Sequence, residues 1–146
     1  MRDSDRDHET GFLLLRVFQR GELIEEFSGG NLVLDSRREI KAHLLAGDTT
    51  NNVVSKIGFG SNGAAPALGN TLLATPFVKN IASVTYPNAG QATFNFTLDT
   101  GEANGLNILE FGLLTYSGRL YARKVRGAIL EKISAISLTG AWTITF

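Results

Sequence analysis

Glu102 and Glu110 are the two residues whose type and spacing come closest to a catalytic pair. Glycosidases place two carboxyl groups beside the bond that they cleave, one as a general acid and the other as a base or nucleophile. Each glutamate also has a structural explanation. Glu102 lies in a Gly/Asn-rich turn where acidic residues are common, and Glu110 lies inside an apolar predicted strand, where we expect it to meet Arg123 or Lys124 on a neighbouring strand. We favour the structural explanation and expect no enzymatic activity.

The sequence offers no other catalytic or ligand-binding arrangement. It contains no Cys and only two His, His8 and His43, and it has no G-x-S-x-G nucleophile motif. The segment from Gly58 to Gly63 formally matches the dinucleotide fingerprint G-x-G-x-x-G. However, Pro66 and small residues follow it where the fingerprint requires a helix. We therefore expect no cofactor and no bound metal.

Four basic residues lie close together in a predicted strand: Arg119, Arg123, Lys124 and Arg126. In an extended strand their side chains point to both faces, which disperses the charge instead of forming one basic surface. The chain has 14 basic and 14 acidic residues, so it carries no net charge that would attract a polyanion. We predict that the four residues form a charged sheet edge or a subunit contact, and we expect no nucleic-acid partner.

The elements that position these residues are predicted to be strands. In the C-terminal segment from Ile136, apolar residues occupy every second position, which predicts that Trp142 and the final Phe146 are buried. Other β-prone runs are separated by turns rich in Gly, Pro and Asn. They lie at 53–60, 71–75, 77–86, 91–98, 106–116, 119–125 and 129–146. Because no helices alternate with these runs, they predict a mainly β protein with an antiparallel β-sandwich.

An N-terminal β-hairpin is predicted over residues 11–28, with its turn at Gln19-Arg20-Gly21 and a second turn following at 28–31. Both faces of this hairpin are apolar. One face carries Leu13, Leu15 and Val17, and the other carries Phe12, Leu14 and Phe18. Two apolar faces need two covers. The second cover is either a subunit interface formed by Phe12, Leu14 and Phe18 or another part of the same domain.

One short helix is predicted from about Asp35, as its N-cap, to Ala46, with Gly47 ending it. Residues 1–10 are mostly charged and have no apolar residue after Met1, so we expect a flexible arm there. The sequence therefore divides into this arm, the hairpin (11–28) and a β-sandwich domain (29–146). It has no secretory signal and no run of about 20 apolar residues, so we expect synthesis in the cytoplasm and no membrane partner.

Several stretches resemble, in order and spacing, a group of tailed-bacteriophage structural proteins described as tail, baseplate or tail-fibre associated. The similarity covers residues 30–146, and Asn70 stands where the group tends to have an Asp before Thr-Leu. The stretches are Gly30 to Asp35, Ile57 to Gly60, Ala65-Pro66 with Thr71-Leu72, Gly101 to Gly105, Ile108 to Leu113 and Trp142 to Phe146. The group provides no catalytic residue to carry over.

The resemblance implies a non-enzymatic virion protein that is made in the host cytoplasm and self-assembles in the tail, at the collar, baseplate or fibre attachment. Its partners would be further copies of itself and other virion proteins. A capsid decoration protein that cements the head has the same physical requirements and stays open as an alternative. A third alternative is a module that binds host-surface glycans, for which exposed aromatic residues are needed. The candidates for that role are Tyr86, Tyr116 and Tyr121.

Overall fold

The computed structural model of the chain describes residues 9–146. Within that range the secondary structure consists of nine strands and one α-helix. The strands are β1 (Thr10–Gln19), β2 (Glu22–Val33), β3 (Val54–Gly60), β4 (Phe77–Asn80), β5 (Ser83–Thr85), β6 (Gln91–Leu98), β7 (Asn107–Thr115), β8 (Leu120–Glu131) and β9 (Ile136–Thr145), and the helix α1 is Arg37–Leu45. The prediction of a mainly β, antiparallel fold with one short helix and an N-terminal hairpin is confirmed.

All nine strands belong to one curled antiparallel sheet in the order β4-β3-β7-β8-β2-β1-β9-β6-β5. Strand β2 connects its two halves, since most of β2 pairs with β1 while Leu32 and Val33 pair with β8. The two end strands, β4 and β5, are separated in sequence only by Ile81 and Ala82. The two halves therefore pack face to face as the layers of a sandwich. We call the half made of β1, β9, β6 and β5 layer A and the half made of β4, β3, β7 and β8 layer B. Strand β2 is shared between them.

The core lies between the two layers and comes from alternate residues of each strand. Layer A contributes residues of β1, β6 and β9, and layer B contributes residues of β3, β7 and β8. The largest buried apolar side chains are Trp142, Phe59, Phe96 and Phe111. The rings of Phe96 and Phe111 both pack edge-on against Phe59. The prediction that Trp142 is buried is confirmed.

Phe146 was predicted to be buried, and this is wrong because 58% of it is exposed. Thr145 is the last paired residue of β9, and the alternating pattern continues one residue further to Phe146. The opposite layer does not cover the side chain at that position. The backbone N–H of Phe146 donates to the carbonyl of Gly90, and the ammonium of Lys41 lies 5.5 Å from the centre of its ring. The C-terminal ring therefore packs on the surface.

The hairpin is an integral part of the sandwich. Its turn residues Arg20 and Gly21 both have positive φ angles, as a tight two-residue hairpin turn requires. Strand β1 lies between β2 and β9, and its inner face is fully buried. The predicted turn at 28–31 is wrong, because β2 continues through it to Val33. Strand β2 thus continues past residue 28, and the hairpin pairs with β9 on one side and with β8 on the other.

Further boundaries also differ from the sequence-based predictions. The helix begins after Ser36 instead of Asp35, and the hydroxyl of Ser36 donates to the carbonyl of Leu120 instead of capping the helix. Residues 71–75 form no strand, and the predicted run 77–86 divides into β4 and β5. The predicted runs 119–125 and 129–146 are joined in β8, and the chain leaves the strand only after Glu131. In each case a contact with a distant part of the chain replaces the local structure that the composition favours.

Residues 1–8 of the predicted flexible arm lie outside the described residues. The last two residues of the arm are part of the fold, since Thr10 begins β1 and Glu9 is buried. The carboxylate of Glu9 accepts a hydrogen bond from the Tyr121 hydroxyl and pairs with the ammonium of Lys41. The prediction of a flexible arm is therefore wrong for Glu9 and Thr10.

Replacing Trp142 by alanine is expected to lower the free energy of unfolding by about 3–5 kcal/mol, because it removes a fully buried ring. It also removes the indole N–H that donates to Asn31 Oδ1 at 2.9 Å. Urea unfolding followed by circular dichroism measures the loss. Phe146→Ala is the control, with a much smaller expected effect. Equal effects of the two changes would contradict the packing described here.

Candidate functional site

Glu110 is a fully buried carboxylate on the outer face of layer B. Its Oε1 accepts from Arg123 Nε at 2.7 Å. Its Oε2 accepts from the backbone N–H groups of Asn62, at 2.9 Å, and Ala74, at 2.7 Å. These amides lie near opposite ends of the segment 61–76, which connects β3 to β4 without regular secondary structure. One carboxylate thus holds both ends of this loop against the sheet.

Arg123 completes the arrangement from the neighbouring strand β8. Its guanidinium is buried and donates to Asn70 Oδ1 at 3.1 Å, to the carbonyl of Asn62 at 3.0 Å and to the carbonyl of Ala64 at 3.1 Å. Asn70 Oδ1 also accepts from the N–H of Ala67 at 2.9 Å. We refer to Glu110, Arg123 and Asn70 as the loop clamp and to residues 61–76 as the clamped loop.

Three glycines make room for the clamped loop. A Cβ atom on Gly60, which pairs with Glu110, would lie 2.4 Å from the carboxylate oxygen. Cβ atoms on the cross-strand pair Gly58 and Gly112 would lie 2.6 Å and 2.9 Å from the side chain of Leu73. Side chains at these positions would therefore push the loop away from the sheet. Gly58 and Gly60, from the segment that formally matches the dinucleotide fingerprint, serve this packing. They lie at the end of β3, and a loop follows them instead of the helix that the fingerprint requires.

The hydrogen bonds of the loop clamp hold a loop in position. Both oxygens of Glu110 are engaged by donors, and the guanidinium of Arg123 is bonded to three acceptors besides Glu110. Glu102 has a different set of partners, namely Lys79 Nζ at 2.7 Å and the N–H of Asp99 at 2.9 Å. The two glutamates share no hydrogen-bond partner among the described residues. The predicted salt bridge between Glu110 and Arg123 is present.

A second buried cation organises the loop before β7. Lys132 is fully buried, and its ammonium donates to Asn104 Oδ1 at 2.8 Å and to the carbonyls of Thr100 and Ile133. Burial lowers the pKa of Lys132, an effect that the nearby carboxylates of Glu102 and Asp99 oppose. This cation, like Arg123, satisfies loop carbonyls that the sheet leaves without a strand partner.

The basic residues of the predicted interface are bonded to other groups of the same chain. Arg123 and Arg126 are buried, so neither contributes to an exposed interface, contrary to the prediction. Arg126 pairs with Glu25 at 2.8 Å and holds the pKa of that carboxyl below its usual range. Lys124 donates to the carbonyl of Gly30 at 2.7 Å, and Arg119 pairs with Glu39 at 2.5 Å. The acidic partners on β2 and α1 gave no local sequence signal that would have identified them.

The predicted apolar interface on the hairpin does point outward. Phe12 is 51% exposed, and Leu14 and Phe18 are half-buried. They lie on the outer side of layer A, opposite the buried face of the same strand. We refer to these three residues as the outer hairpin face. Their role in an interface stays a prediction.

The three tyrosines considered for glycan binding have different environments. Tyr86 and Tyr116 are well exposed, and the ammonium of Lys56 lies 5.2 Å from the centre of the Tyr116 ring. Tyr121 is buried, so it cannot present its ring to a glycan. Burial raises the pKa of the Tyr121 hydroxyl, and the adjacent Glu9 carboxylate raises it further. This pair could not be predicted from the sequence, because Glu9 lies in a charged segment that predicts exposure.

Within residues 9–146, no group of three or more His, Cys, Asp or Glu side chains is arranged to hold a metal ion. His43 instead pairs with Asp48, whose Oδ2 lies 2.7 Å from its Nδ1. No helix in this part of the chain is long and apolar enough to cross a membrane. Comparison with family models, with curated proteins and with solved structures found no match to the chain.

Arg123→Ala is expected to lower the free energy of unfolding by about 3–5 kcal/mol, because it leaves the Glu110 carboxylate buried without its counter-ion. Hydrogen exchange at the amides of Asn62 and Ala74 should accelerate as the loop is released. The matched control is Arg16→Ala, which removes an exposed ion pair with Glu26 and should cost about 0–1 kcal/mol. A loss as small for Arg123 as for Arg16 would show that the clamp does not hold the loop.

Stability is expected to fall at acidic pH, in part through Glu102. Its pKa is lowered by the Asp99 N–H and by Lys79, so the folded state releases this proton more readily than the unfolded state. The resulting stabilisation is present above the ordinary pKa of 4.5 and is lost as the pH falls through the folded-state value. Urea midpoints measured from neutral pH to about pH 3 should fall less steeply for Glu102→Gln than for the wild type. If the urea midpoint fell with pH equally in the two proteins, the contribution of Glu102 to acid sensitivity would be contradicted.

Proposed function

We propose that the chain is a non-enzymatic structural protein of a tailed-bacteriophage virion. It self-assembles in the tail, at the collar, baseplate or fibre attachment, and contacts other virion proteins there. The observation that carries the proposal is the distribution of polar and apolar groups. The buried charged groups Glu110, Arg123 and Lys132 hold loops in place, whereas apolar side chains are exposed on the outer sides of both layers.

Contact surfaces on two sides suit a repeating assembly. The outer hairpin face lies on the outside of layer A, and the clamped loop covers the outside of layer B with Leu68 and Leu72 exposed. A subunit that has contact surfaces on opposite sides can bind two neighbours at once, which rings and stacks require. Burying such surfaces contributes roughly 25 cal/mol per Å² before the entropic costs of association.

Several of the stretches that resemble phage structural proteins meet beneath the clamped loop, where Gly58, Gly60, Glu110 and Gly112 shape its floor. Asn31 and Trp142, from the first and last of these stretches, share a hydrogen bond within layer A, where their strands flank β1. The resembling positions thus make structural contacts in both layers, which supports the proposal that they reflect a common architecture.

Two alternatives stay open. A capsid decoration protein needs the same exposed apolar surfaces and the same compact β fold. A host-glycan-binding module would use Tyr116, whose exposed ring borders a groove of about 340 Å³. We rank both of these roles below that of a tail protein. The decoration role has no feature that distinguishes it, and only Tyr86 and Tyr116 of the three candidate tyrosines are exposed.

Mass spectrometry of purified particles tests the proposal. In a preparation of the virus that encodes the chain, we expect the chain at a copy number similar to that of other structural proteins. Separating tails from heads before digestion distinguishes the alternatives, since a tail protein stays with the tail fraction and a decoration protein with the heads. Absence of the chain from both fractions would contradict a virion role.

A further inference from the structure

The clamped loop presents an apolar, uncharged surface. From Ile57 to Val78 the sequence contains no charged residue, although 19% of the whole chain is charged. Leu72 is 78% exposed, and Leu68 is also exposed. Cores of protein interfaces are depleted of charged residues in the same way. Connections without secondary structure that are longer than about 12–15 residues are usually functional or disordered, and the clamped loop is longer than that. Hydrogen bonds to Glu110 and Arg123 hold this loop in place.

A groove lies beside Leu72 on the same face. It has a volume of about 340 Å³, and its apolar lining includes Leu72, Pro76, Val78, Leu114 and the ring of Tyr116. Lys56 is the only charged residue in the lining, and its ammonium is directed at the Tyr116 ring. One face of the molecule therefore carries both a protruding apolar side chain and an apolar groove. We refer to this face as the Leu72 face.

We propose that the Leu72 face binds the same face of a second copy of this chain around a two-fold axis. An isologous contact needs one surface that is complementary to itself, and a protruding leucine beside a groove meets that need. Such a contact also brings residues near the axis close to their own symmetry mates, so a charged residue there would repel itself. No charged residue along residues 57–78 causes that repulsion, and Lys56, the one charged residue of the groove lining, directs its ammonium at the Tyr116 ring of its own chain.

The loop clamp prepares this surface for binding. Glu110 and Arg123 fix the clamped loop, so little conformational entropy remains to be lost when a partner binds. Leu73, the neighbour of Leu72, packs beside Gly58 and Gly112 and anchors the exposed leucine. This inference rests on the proposed function, because it specifies one contact through which the self-assembly takes place.

The test compares the same substitution at two exposed leucines. Leu72→Lys places a charge near its symmetry mate and is expected to weaken association at least about tenfold in sedimentation equilibrium or light scattering. Leu45→Lys is the matched control, because Leu45 is 92% exposed on α1 and does not line the groove, so its replacement should leave association unchanged. Thermal unfolding of both variants verifies that they are folded.

A mixing experiment tests whether the two copies of residue 72 approach each other. Leu72→Lys and Leu72→Asp are each expected to associate weakly alone, whereas an equimolar mixture should recover association because opposite charges then meet across the contact. Recovery would support the two-fold arrangement. Failure of the mixture to exceed either variant alone would overturn it.

Other results separate this inference from the proposed function. A wild-type chain that is monomeric at all concentrations would overturn the inference and favour the glycan-binding alternative, with the Tyr116 groove as its site. A multimer that Leu72→Lys leaves unchanged would also overturn it. In that second case the presence of the chain in purified virus particles would still support a virion role, through a different contact.

Discussion

The buried ion pair between Glu110 and Arg123 is the interaction on which the outer half of this molecule depends. Burying two charges is expensive, and the cost is offset only when hydrogen bonds satisfy the remaining polar atoms. Here the backbone of the clamped loop supplies those bonds, through the N–H groups of Asn62 and Ala74 and through two carbonyls. The pair and the loop therefore stabilise each other, and neither arrangement is satisfied alone.

This dependence explains why small residues accompany the charged ones. The loop rests on Gly58, Gly60 and Gly112, where side chains would occupy the space of Leu73 and the carboxylate. Leu34, Leu73, Leu114 and Leu120 form a second apolar cluster apart from the main core. The molecule thus has a third layer over one side of the sandwich, made of loop instead of helix or strand. That layer is rigid without being regular, which suits a recognition surface.

Much of the fold could be predicted from the sequence, because strand alternation and turn composition are local signals. The pattern around Trp142 identified a buried strand, and a glutamate inside an apolar strand required a cation nearby, which led to Arg123 or Lys124. The structure shows that Arg123 is the partner. The features that could not be predicted depend on tertiary contacts. Gly29 indicated a turn by composition, yet it is a strand residue that leaves room for the ammonium of Lys124. Asn70 and Glu9 lie in segments whose local composition predicts exposure. Distant partners override that tendency, Arg123 for Asn70 and both Tyr121 and Lys41 for Glu9.

Strand β2 has a mechanical consequence for the sandwich. It belongs to both layers, pairing with β1 along most of its length and with β8 at Leu32 and Val33. On the other side, only Ile81 and Ala82 separate the end strands of the two layers. A shearing load that slides one layer past the other must therefore break backbone hydrogen bonds or stretch the chain itself. A strand that passes from one sheet to another joins the corner of a sandwich, and here β2 connects the two layers into one mechanical unit.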